Sequence, residues 1–78
     1  MDDLIFTDHL LLRMRKRRIP AEAVYHVIGD ADEIIEHEGG RTEYIGTWEG
    51  LTLMVVVEDD DETVVSVWDR KQRRPRRR

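Results

Sequence analysis

The chain has no cysteine, so it forms no disulfide and offers no thiolate to a metal, in keeping with a reducing, cytoplasmic setting. No apolar run approaches the ~20 residues of a membrane span. The acidic start Met1-Asp2-Asp3 argues against a secretory signal. There is no His-x-x-x-His pair, no Ser/His/Asp order, no glycine-rich phosphate loop and no dinucleotide fingerprint. The run Asp59-Asp60-Asp61-Glu62 lacks the glycine and distal glutamate of a calcium loop and reads as a solvated turn. These absences leave no expected cofactor or metal.

What is present is a lopsided charge distribution. Net charge is −4, yet twelve of the thirteen Lys and Arg lie in two stretches, residues 13–18 and 70–78. Arg41 is the exception, and fourteen acids lie between residues 19 and 69. An acidic body with a basic helix and a basic tail suits an anionic partner, nucleic acid first. The alternative is a tail that solubilises the fold or pairs with its acidic surface. Beyond Asp69 the chain is too charged to pack, and disorder is expected from about Arg70.

At 78 residues the chain is one domain, residues 1–69, which buries only roughly 60–65% of its unfolded surface. Leu4-Ile5-Phe6 reads as a short strand. Thr7 or Asp8 caps a helix to about Arg17, with Leu10, Leu11 and Met14 as its apolar face. Ile19-Pro20 breaks it, and Pro20 opens a second helix that buries Ala21, Val24, Val27 and Ile28 and ends at Gly29. The period then becomes strand-like. Residues 33–37 form a strand, Gly39-Gly40 a two-residue hairpin turn, and residues 41–48 the return strand with Tyr44, Gly46 and Trp48 on one side. Glu49-Gly50 is the next tight turn. Residues 51–57 are apolar on both faces and belong at the centre of the sheet; residues 63–68 close it. The expected fold is α+β: two N-terminal helices on one face of a roughly four-stranded antiparallel sheet. The other face is partly open, with Trp48 or Trp68 lining it.

His9, Arg13 and Arg17 recur at four-residue steps and so share one helical face. RNA cleavage requires proton carriers for the 2′-hydroxyl and the leaving oxygen, and cations on the phosphate. His9 fits the first role and the arginines the second. The competing structural reading has His9 orienting the sheet and Arg13 paired with a strand acid such as Glu43. His26 and His37 stand alone. Tyr44, Trp48 and Trp68 are expected in the core rather than stacked on bases.

The run His9-x-x-x-Arg13-Met14-x-x-Arg17-x-Ile19, with Glu22-x-Val24 and the later Gly40-Arg41-x-x-Tyr44-x-Gly46 and Val67-Trp68, resembles a bacterial and archaeal domain-of-unknown-function family. Its members look like the RelE and ParE group of small toxins, which share a barnase-like sheet with two N-terminal helices. The resemblance spans roughly residues 5–69. It implies catalytic roles for His9, Arg13 and Arg17 and substrate contacts for Arg41 and Tyr44. Two positions depart from it: Arg18 stands where glycine is usual, and Ser66 where threonine is. The implied function is metal-independent RNA binding and cleavage, with RNA or the ribosome and a cognate antitoxin as partners and no membrane. The alternative is a non-catalytic module that docks nucleic acid or protein. Oligomeric state is left open.

Overall fold

The structure, a computed structural model, describes residues 4–60 and 62–70. The disorder expected of the tail lies outside these residues from 71 onward. Arg70 itself donates its N–H to the Thr52 carbonyl at 2.9 Å.

In chain order the elements are β1 (Ile5–Phe6), α1 (Asp8–Arg17), α2 (Ala21–Gly29), β2 (Glu33–His37), β3 (Arg41–Trp48), β4 (Leu51–Val57) and β5 (Thr63–Asp69). Thr7 starts α1: its hydroxyl accepts from the Leu10 N–H at 3.1 Å, satisfying one of the orphan amides of a helix start. Arg18 ends α1 in the left-handed region, φ 59°. There its N–H reaches the Arg15 carbonyl and the Ile19 N–H reaches that of Met14, the paired bonds of a Schellman cap. This cap favours glycine, and here Arg18 holds it. Pro20 then leads into α2 with an extended backbone.

α1 contributes Leu10 and Met14, and α2 contributes Ala23, Val24 and Val27, to a core shared with Leu53, Val55, Val57, Val64 and Val67 of the sheet. Tyr44 and Trp48 pack against this core. Gly46 lies where a Cβ would stand 3.4 Å from Val27 Cγ1, so its bareness lets α2 sit close to β3. β1 is tied to α2 by the Leu4 N–H donated to the Tyr25 hydroxyl at 3.0 Å and by the Phe6–Tyr25 ring contact.

The α+β class and the two helices agree with expectation, and β4 is central, in the order β1-β5-β4-β3-β2. The sheet differs from the expected four antiparallel strands. It has five, and it is mixed, because β1 pairs parallel with β5 through Ile5↔Thr63 and Phe6↔Val64. A pairing between strands 58 residues apart leaves no trace in local periodicity. The first hairpin also differs: His37 pairs with Arg41, so its loop is the three residues Glu38–Gly40. Trp48 faces the helices. Trp68 is opposite Met54, itself opposite Ile45, on the face away from the helices.

β5 carries a bulge. Val56 pairs with Ser66 but Val57 with Val64, so Val65 is the extra residue. The bulge brings both Val64 and Val67 to the helix side, where they are 1% and 0% exposed. Strict alternation would have placed them on opposite faces.

Two non-glycine residues hold positive φ, Arg18 at 59° and Glu49 at 48°. Left-handed backbone costs such residues about 1–2 kcal/mol. Arg18→Gly and Glu49→Asn are each expected to raise stability by ~0.5–1 kcal/mol in urea melts; a decrease in both would contradict these turn geometries.

Asp60 closes the β4–β5 turn. Its carboxylate accepts from the Thr63 N–H at 2.9 Å, the Glu62 N–H at 2.8 Å and the Thr63 hydroxyl at 2.8 Å. These bonds, the Thr63 amide foremost, hold its pKa below the ordinary 3.8. A carboxylate depressed on folding stabilises the fold above its unfolded pKa and loses that contribution as pH falls through the folded value. Asp60→Asn is therefore expected to shrink the loss of melting temperature below about pH 4. An unchanged acid limb would refute this.

Candidate functional site

α1 lies along β5 at the end of the sheet where β1 stops. β1 covers only Thr63 and Val64, so among the described residues β5 beyond the bulge has no neighbouring strand on its outer side. Arg17 reaches across to it: its half-buried guanidinium donates to the Val67 carbonyl at 2.8 Å.

Above that bond opens a pocket of about 190 Å³. Its walls are Thr7, His9, Arg13 and Arg17 from the α1 side and Val65–Trp68 from β5. His9, Arg13 and Arg17 thus meet in one cavity, because four-residue steps keep them on the flank of α1 that faces β5, beside the buried Leu10 and Met14. His9 and Arg13 are exposed. No carboxylate lines the pocket among the described residues.

The five cations of residues 13–18 make no ion pair with a described acid; elsewhere, His37 Nε2 stands 3.0 Å from Glu43 and Arg41 3.5 Å from Glu58. Arg15, Lys16 and Arg17 do sit in the last turn of α1, where positive charge complements the helix dipole. That explains some of the basic run but not Arg13 or His9, which lie nearer the start.

Arg41 and Tyr44 are elsewhere. Arg41 opens β3 and pairs with Glu58, while Tyr44 packs under the helices. Neither lines the pocket. The expected pairing of Arg13 with Glu43 is not found: Glu43 is held by His37 Nε2 at 3.0 Å, opposite Val56 on the face away from the helices. His26 is exposed, and no group of acids and histidines suited to a metal occurs among the described residues. Sequence reasoning missed the β5 wall, since nothing local signals which strand lies beside α1. The bulge at Val65 was equally invisible.

The pocket can hold an anion. Arg17 spends one N–H on Val67 and a guanidinium carries five; Arg13 has a planar fork suited to phosphate. His9 adds a ring whose nitrogens can donate or accept a hydrogen bond. No known protein family matches the chain, and neither a curated protein nor a solved structure matches it.

Arg17 and Arg13 separate in their structural roles. Arg17→Ala is expected to cost about 1.5 kcal/mol, because it removes a charge-assisted bond and uncovers an edge carbonyl. Arg13→Ala should stay within about 0.5 kcal/mol, as for other exposed side chains. Equal losses in chemical denaturation would show that Arg17 does not anchor α1.

Proposed function

We propose that this chain is an RNA-binding domain, RelE-like in architecture, that seats one phosphodiester in the α1–β5 pocket. The observation that carries the reading is the meeting of His9, Arg13 and Arg17 in one cavity without an acid. Phosphate is the anion this set suits: Arg13 grips two of its oxygens, Arg17 offers the N–H groups not used on Val67, and His9 completes the contacts. The pocket volume of about 190 Å³ accommodates a sugar-phosphate unit rather than a whole nucleotide, so binding is independent of base identity. The ribosome and a cognate antitoxin are the partners this architecture would imply.

One observation favours cleavage as a second reading: His9 shares the cavity with Arg13. In that chemistry His9 takes the 2′-hydroxyl proton, the 2′-oxygen bonds to phosphorus, and the 5′-oxygen leaves with a proton from water. The products are a 2′,3′-cyclic phosphate and a free 5′-hydroxyl. Arg13 would hold the charge that builds on the phosphoryl oxygens.

Both readings are tested on single-stranded RNA with Arg13→Ala, His9→Ala and Lys16→Ala. Arg13→Ala should weaken binding about tenfold or more, since a hydrogen bond to a charged group is worth ~1.5–3 kcal/mol. It should also reduce the log–log salt slope by ~0.7, one phosphate contact on a single strand. Lys16→Ala, on the same helix but away from the pocket, should cost less. Equal losses for Arg13 and Lys16 would contradict a seated phosphate. Cleavage requires the cyclic phosphate product from the parent and a ~10²–10⁴-fold loss in His9→Ala; intact RNA, free or ribosome-bound, leaves the binding reading alone.

A further inference from the structure

α1 presents two flanks, and the pocket beside β5 takes up one of them. Leu11, Arg15 and Arg18 recur at four- and three-residue steps and share the other. There they line a groove of about 510 Å³, together with Met14 and with Ile19 and Ala21 where the chain turns into α2. Its floor is apolar: Met14 and Ile19 are 2% and 3% exposed. Leu11 stands 43% exposed on its wall, and Leu12 beside it is 50% exposed. Large apolar side chains left in water beside a concave apolar surface mark a contact site.

The cations of this flank are unspent as well. Neither Arg15 nor Arg18 pairs with a described acid. The acids nearest in sequence, Asp8 and Glu22, do not line the groove. Arg18 also ends α1 at φ 59°, a conformation that glycine adopts freely and that costs other residues energy. Backbone strain kept at an exposed position points to a use for its side chain, and that side chain is a guanidinium beside the groove.

We propose that this groove docks an acidic amphipathic helix of another protein, whose aliphatic anchors, one turn apart, fill the floor beside Leu11 and whose flanking carboxylates pair with Arg15 and Arg18. Charge sets the sign of the partner, since a groove lined by two arginines and no acid attracts a negative ligand and repels a basic one. The floor then decides between negative ligands. It holds no aromatic side chain on which a base could stack, and sugar-phosphate pressed against Leu11, Met14 and Ile19 would leave polar groups unpaired. Leucine or isoleucine side chains on one face of a helix match it instead. A flat lipid surface cannot fill a concave groove. Docking here leaves the β5 flank of α1 open and does not depend on what the pocket there binds.

The test is selection from a displayed library of helical peptides, randomised on one face, against the full-length protein. Enriched peptides are expected to carry leucine or isoleucine one turn apart with glutamate or aspartate beside them. Their affinities are then read by fluorescence anisotropy. Leu11→Ser should weaken binding about tenfold, the loss of one buried leucine contact, and should leave single-stranded RNA binding unchanged. Arg18→Gly should weaken the peptides about threefold, one ion pair, while raising the melting temperature, so a damaged fold cannot account for the loss even if Leu11→Ser destabilises the protein. Failure to enrich any peptide, or enrichment of peptides without acids, would overturn the proposal. So would peptide binding indifferent to both variants. Loss of RNA affinity in Leu11→Ser would give the groove to RNA, and a concentration-dependent dimer that Leu11→Ser dissolves would give it to a second copy; either outcome also overturns it.

Discussion

The bond from Arg17 to the Val67 carbonyl fixes α1 against β5, and much else depends on it. α1 buries just two side chains, Leu10 and Met14, and apolar burial alone does not set how a short helix lies along a strand edge. The guanidinium supplies direction. It satisfies a carbonyl left bare by the brevity of β1, and it closes the floor of the pocket into which His9 and Arg13 project. It also occupies a sheet edge that would otherwise accept another strand. The protected edge and the basic pocket are therefore one feature.

The bulge at Val65 is the second constraint. It turns both Val64 and Val67 to the helix side, and Val65 itself becomes part of the pocket wall. A regular β5 would have sent one of those valines to the face away from the helices. Core packing and pocket shape are thus coupled through one extra residue, a common use of bulges near sites.

The helices, their start at Thr7 and break at Ile19-Pro20, and the central place of β4 were legible in the sequence because they follow from local period and turn chemistry. So was the grouping of His9, Arg13 and Arg17, since helical spacing alone puts them on one flank. The parallel β1–β5 pairing was not, because residue 5 and residue 63 are related by tertiary geometry alone. The three-residue hairpin was hidden by Gly39-Gly40, whose positive φ angles suit a two-residue loop equally well. Arg41 and Tyr44 share a sequence motif, but strand alternation sends Arg41 to the open face and Tyr44 to the core. Glu43 was expected near α1 and lies on the opposite side with His37 for the same reason.

The account rests on the α1–β5 pocket being where RNA phosphate sits. The most direct measurement is an amide and imidazole chemical-shift titration of the full-length protein with a short single-stranded oligoribonucleotide. The changes should centre on residues 7–17 and 65–68, with the His9 ring among the largest. Changes confined to the Arg41–Glu58 face, or to residues 71–78 with α1 and β5 untouched, would contradict it.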